Sequence, residues 1–136
     1  MKKLNVILVY NEDKSKILMC KREKEPYKGL FNLVGGKLEE GENELEGAYR
    51  ELKEETGITV EDISLKHIMN FNYKLLDLEL EFFAGRLNKD KEVIDEVNKL
   101  YWIDINENFF DVEKFAGAGN IGHMLIQAQI HSDLIK

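Results

Sequence analysis

Apolar positions recur along this chain with two periods. From Leu4 to Tyr10 and again from Lys16 to Arg22 the residues are β-formers, and the turn-like cluster Asn11-Glu12-Asp13-Lys14 between them predicts a hairpin. Glu23 to Leu30 reads as a charged loop holding the only proline, Pro26, and Phe31 to Val34 as a short strand running into Gly35-Gly36. The period then lengthens. Leu45, Ala48, Tyr49 and Leu52 fall at i, i+3, i+4 and i+7, the stripe of a helix packed on a core, which Gly57 closes. His67 to Lys74 and Asp77 to Leu87 return to strand character, the second alternating Leu78, Leu80 and Phe82 against Glu79 and Glu81. Lys89 to Asn98 reads as a polar loop, Leu100 to Ile105 as a strand and Glu107 to Phe115 as a short helix. Asn120 to Lys136 forms a closing helix with Ile121, Met124, Leu125 and Ala128 on one face. No repeat, low-complexity stretch or linker interrupts residues 1–136, so a single domain is expected. Strands interleaved with one central and one terminal helix predict an α/β fold, a mixed sheet packed between helices.

Composition narrows the class. A chain of 136 residues with 43% hydrophobic and 33% charged residues buries a core without staples. No stretch approaches the ~18 apolar residues of a membrane span, and Met1-Lys2-Lys3 leads into a strand with no small-residue cleavage site, so a cytoplasmic protein without membrane partners is expected. Cys20 is the only cysteine; it cannot form an internal disulfide and reads as a buried, inert thiol. The net charge of −7 argues against a grip on long nucleic acid, which rests on basic patches. It leaves room for small phosphorylated ligands, because a metal supplies positive charge locally.

The chemistry concentrates in Arg50-Glu51-Leu52-Lys53-Glu54-Glu55. On a helix, residues three and four apart are neighbours, so Glu51 meets both Glu54 and Glu55 and the three repel unless a cation lies among them. The apolar stripe fixes them on the opposite side, lining a surface or a cleft. Gly35-Gly36 and Gly41 let the preceding loop bring backbone carbonyls beside these oxygens. Mg²⁺ suits such a site, since it prefers carboxylate and water oxygens and bridges to substrate phosphates.

Gly36, five residues, Glu42, seven residues, Arg50-Glu51-Leu52, one residue, Glu54-Glu55, one residue and Gly57-Ile58 resemble the whole signature of the Nudix hydrolase family, over 23 of 136 residues. The resemblance implies a Nudix-type α/β/α sandwich with a mixed central sheet. It implies Mg²⁺, with Mn²⁺ as a substitute, held by Gly35, Glu51, Glu54 and Glu55, and hydrolysis of a nucleoside diphosphate linked to another group, with Glu51 and Glu54 central to catalysis. Arg50 and Glu42 are similar to the family's bracing pair, and Gly36 and Gly57 to its structural glycines. Family members add an acid from a later loop, for which Glu92, Asp95 and Glu96 compete; Glu96 leads and the sequence does not choose. Lys21 and Arg22 end a strand, as substrate-phosphate contacts or as a solvated strand end. Asn120 is placed like the asparagine with which the MutT branch reads a purine, and is also a favoured helix N-cap. Phe71, Tyr73, Phe82 and Phe83 are base-stacking or core residues, with core favoured. His67, His123 and His131 show no metal-ligand spacing together, and His123 is either a substrate contact or a structural residue.

Phe31 and Val34 stand where the family often has Trp and Pro, and Gly47 where it often has Ala, at roughly 0.5 to 1 kcal/mol of helix stability. The ADP-ribose branch typically carries a downstream proline and an N-terminal segment, and this chain shows neither. The expected substrate is therefore a (deoxy)nucleoside triphosphate, with 8-oxo-dGTP a candidate, cleaved to monophosphate and pyrophosphate. ADP-ribose, nucleotide sugars and dinucleoside polyphosphates are the alternative substrates, and a nucleotide-sensing domain without turnover the alternative class. The family includes many homodimers; which nucleotide, which oligomeric state and which physiological role stay open.

Overall fold

The computed structural model describes all 136 residues. The elements in order are β1 (Lys2–Tyr10), β2 (Lys16–Lys21), β3 (Phe31–Asn32), α1 (Glu44–Thr56), β4 (Lys66–Tyr73), β5 (Leu78–Arg86), β6 (Leu100–Asp104) and α2 (Asn120–Ile130). The strands form one six-stranded sheet in the order β3-β2-β1-β5-β4, with β6 paired to β2. It is mixed. β1 runs parallel to β5 from Lys2↔Leu78 to Tyr10↔Arg86, and the other pairs are antiparallel.

Side-chain alternation divides the core between the two faces. Leu8 and Tyr10 with Ile17 and Met19 pack on one side with Ile121, Met124 and Ala128 of α2. Ile7, Val9 and Leu18 pack on the other with Ala48 and Leu52 of α1. Because both faces are covered, the central strands read as continuous apolar runs such as Ile7-Leu8-Val9. The result is the expected α/β sandwich, and no helix is long and apolar enough to cross a membrane.

The β1–β2 hairpin is antiparallel as expected, but the two strands meet in register only at Tyr10↔Ile17. Past that point the residue 34–38 segment takes over the edge of β1: Ile7 N–H donates to the Val34 carbonyl and Asn5 N–H to that of Gly36, both at 2.8 Å. This lateral docking carries the double glycine along the sheet towards α1.

Three expectations are corrected. Glu107 to Phe115 is not a helix but a series of turns. The side chains of Asp104, Asn108 and Asp111 accept from the N–H groups of Asn106, Phe110 and Glu113, and short polar side chains that bond locally in this way compete with the helical ladder. Glu81, read as part of the polar face of β5, is 1% exposed, because that face lies under α1. Leu45 is 40% exposed at the start of α1, so the stripe that reaches the core is Ala48 and Leu52, with Tyr49 partly buried.

Candidate metal and nucleotide site

Asn43 caps α1 by accepting from the N–H groups of Leu45 and Glu46, and Gly57 ends it in the left-handed conformation, its N–H donating to the Lys53 carbonyl. Between these caps the helix is fitted closely to the glycine loop. A Cβ on Gly36 would stand 2.5 Å from the Glu51 carboxyl group, and one on Gly47 would stand 2.8 Å from both Glu42 Oε1 and Leu38 Cδ1. Gly47 therefore admits the loop against α1, a role that the reading of it as a loss of helix propensity does not capture.

Arg50 ties the loop to the helix. Its Nε and Nη2 donate to the two oxygens of Glu42 at 2.6 and 3.0 Å, and Nη2 also donates to the Lys37 carbonyl at 3.1 Å. Its Nη1 reaches Glu51 Oε1 and Glu54 Oε2, each at 3.1 Å. Bonds from Arg50, first among the causes, and from the Glu39 N–H hold the Glu42 carboxyl group below the ordinary carboxylate range.

The three acids of the helix differ in environment. Glu54 is the exposed one. Glu51 is more enclosed, and burial pushes its pKa up while Arg50 pulls it down. Glu55 accepts from the Gly35 N–H at 3.1 Å, and burial, with repulsion from Glu51 and Glu54, pushes its pKa up to about 7. Crowded, partly desolvated carboxylates take up either protons or a cation. Because Val34 and Gly36 turn their carbonyls to β1, the Gly35 N–H is left to face Glu55. Asn5 completes the join: its Oδ1 accepts from the Gly36 N–H at 2.9 Å. All the donors gathered here are hard oxygens, which fits a divalent ion such as Mg²⁺ and does not favour a soft one.

Gly35 and Gly36 also line a cleft of about 530 Å³ with Arg22, Tyr27, Tyr73 and Asn120, walled by apolar residues including Leu80 and Met124. Arg22 and Asn120 thus share one cavity with the loop, whereas Lys21 stays outside its lining, its Nζ 5.8 Å from the centre of the Phe31 ring. Arg22 donates to the Pro26 carbonyl at 2.7 Å. Gly119, not Asn120, caps α2, so the capping alternative for Asn120 is corrected; Asn120 lines the cleft with Tyr73 instead. Phe82 and Phe83 are fully buried core, and of the four aromatics only Tyr73 reaches the cleft. His123 is exposed, against Gln127 at 3.2 Å and the edge of Phe71, outside the cleft. Cys20 is buried and its thiol is pushed up to about 11 by desolvation, as expected of an inert residue.

The later acids sit on a segment that docks at the end of α1, where the Ile94 N–H donates to the Thr56 carbonyl at 3.0 Å. Asp95 is engaged with the Leu100 N–H at 3.1 Å, while Glu92 and Glu96 are exposed. Two cleft features escape the sequence reading, Asn5 and Tyr27. A lone polar residue in Leu4-Asn5-Val6-Ile7 is the available signal for the first; nothing local marks the second.

A family model described as the NUDIX domain matches residues 1–119. The chain is 30% identical over 116 residues to the uncharacterised Nudix hydrolase YvcI of Bacillus subtilis, covering 81% of this chain and 69% of that protein. It is 51% identical over 47 residues to an ADP-ribose pyrophosphatase of Methanocaldococcus jannaschii, a match covering 35% of this chain and only 28% of that relative. Among solved structures, the C. elegans Ap4A hydrolase binary complex superposes with a TM-score of 0.77 at 19% identity, over 99% of this chain and all of that one, a likeness of fold.

Proposed function

The chain belongs to the Nudix family, and from that premise we propose that it is a Mg²⁺-dependent pyrophosphohydrolase. Its substrate is a nucleoside diphosphate linked to another group, most specifically a (deoxy)nucleoside triphosphate such as 8-oxo-dGTP. The observation that carries the reading is that Gly35 and Gly36 serve two neighbours at once: they touch Glu55 and Glu51 of α1 and line the cleft that holds Arg22, Tyr73 and Asn120.

Glu51, Glu54, Glu55 and the Gly35 carbonyl would hold the ion, with Mn²⁺ as a substitute. Bound there, it neutralises phosphate charge and lowers the pKa of a bound water. Arg22 meets the phosphates, and the amide of Asn120, which lines the cleft with Tyr73, faces the base. Arg50 and Glu42 keep Glu51 and Glu54 in place. A carboxylate, with Glu96 of the docked segment first in line and Glu92 behind it, accepts the proton of the attacking water. The water oxygen bonds to phosphorus as the anhydride P–O bond breaks, leaving nucleoside monophosphate and pyrophosphate.

The test is product analysis with Mg²⁺ over canonical and 8-oxo nucleoside triphosphates, ADP-ribose, nucleotide sugars and dinucleoside polyphosphates. Pyrophosphate from triphosphates is expected. Turnover confined to ADP-ribose, the substrate class in the name of the M. jannaschii relative, would replace the triphosphate reading. Thermal stabilisation by nucleotide with no product from any compound would replace hydrolysis with sensing.

A further inference from the structure

The fold buries one carboxylate that the site above does not use. Glu81 lies on β5 beside Asn5 of β1, beneath α1, and is 1% exposed. Its Oε2 has no hydrogen-bond partner. Facing it are Glu44, the first residue of α1, and His67 of β4, and one ligand atom from each of the three lies within 4.8 Å of the others. A buried carboxylate that lacks a hydrogen-bond partner and faces a second carboxylate needs a proton or a cation between the two, because two ionised carboxylates repel and neither donates a hydrogen bond. Lys3 favours the charged form of Glu81, and desolvation and Glu44 outweigh it.

The histidine is prepared for a ligand. Asn70 Nδ2 donates to Glu79 Oε1 at 2.9 Å, which turns the Asn70 Oδ1 towards His67 Nε2 at 2.6 Å. An amide oxygen only accepts, so Nε2 donates to it, and in the neutral imidazole the lone pair falls on Nδ1, which lies 3.8 Å from Glu44 Oε2. Metal-binding histidines are held in this manner, the second ring nitrogen donating to an outer oxygen. The ring is further fixed by stacking on Phe83 at 4.6 Å between centroids.

We propose that Glu44, His67 and Glu81 bind a borderline divalent transition ion of the Zn²⁺ class, separate from the site of Glu51, Glu54 and Glu55. Glu51 is seven residues further along α1, about 10 Å at 1.5 Å per residue. An imidazole with two carboxylates selects such an ion over Mg²⁺, and three protein ligands leave one position open. Bonds of about 2.0–2.2 Å need the donors to draw within about 3.5 Å of one another. Glu44 and His67, with side chains 43% and 36% exposed, are free to close on the fixed Glu81. The ion would pin the start of α1 to β4 and β5.

The test uses the full chain, stripped with EDTA and returned to millimolar Mg²⁺ to fill the signature site, then titrated with Co²⁺ or Zn²⁺ by calorimetry and, for Co²⁺, visible absorption. One ion per chain is expected besides any that replaces Mg²⁺ at the signature site. Its affinity should fall about tenfold or more in both His67→Gln and Glu81→Gln and hold in Glu54→Gln. An affinity unchanged by both variants, or no ion bound to the wild type, overturns the proposal and leaves a proton shared by Glu44 and Glu81. If Glu81→Gln does not fold, His67→Gln, a change at an exposed position, decides alone.

Discussion

One guanidinium organises the acidic side of α1. Arg50 meets both oxygens of Glu42, the Lys37 carbonyl, Glu51 and Glu54 within 3.1 Å, which requires a planar fork of donors in fixed directions. A lysine supplies the charge without the fork. Arg50→Lys is therefore expected to lower kcat by about 10- to 100-fold, as loss of a partner that orients ligands does, and to raise the Mg²⁺ concentration for half-maximal rate. Steady-state rates across a Mg²⁺ titration check this. Glu54→Gln should cost about 10²-fold or more in kcat while leaving the melting temperature nearly unchanged, because its side chain is 57% exposed and an exposed ion pair, here with Arg50, contributes little to stability. Paired rate and melting measurements separate these effects.

At the level of elements, α1 shows what a sequence carries and what it does not. Its start and end are written in Asn43 and Gly57, and its chemical side in the spacing of Glu51, Glu54 and Glu55, because caps and periodicity are local. Gly47 is different. Helix propensity alone predicts a gain of roughly 0.5 to 1 kcal/mol for Gly47→Ala. The added methyl group would meet Glu42 and Leu38, so we expect that gain to be absent in urea unfolding and kcat/KM to fall as Glu42 and Arg50 are displaced. A stabilised, fully active variant would show that the loop gives way freely. The same limit explains Glu107 to Phe115, which reads as a short helix but where Asp104, Asn108 and Asp111 hold the backbone in turns. It also explains the cleft, since Arg22, Tyr73 and Asn120 come from three distant segments and only the assembled sheet brings them together.

The whole molecule is an acidic protein that spends part of its stability on crowding carboxylates. Glu55 and Glu81 both have pKa values raised to about 7, chiefly by burial. A carboxyl group whose pKa is higher folded than unfolded stabilises the fold while protonated, fully below its unfolded pKa of about 4.3, and loses that contribution as pH rises through the folded value. In EDTA the melting temperature is thus expected to fall between about pH 5 and 8, and Glu55→Gln with Glu81→Gln should flatten the slope. Divalent ions should restore stability most at the alkaline end, where these carboxylates are charged. Differential scanning calorimetry across pH, with and without metal, tests both statements.

The central claim, Mg²⁺-dependent anhydride hydrolysis at α1 with the nucleotide in the adjoining cleft, is tested most directly by identifying the products of the nucleotide panel with wild type and Glu54→Gln side by side. The account predicts monophosphate and pyrophosphate from nucleoside triphosphates, dependent on Mg²⁺ and lost in the variant. Inorganic phosphate in place of pyrophosphate, or equal turnover by wild type and variant, would contradict it.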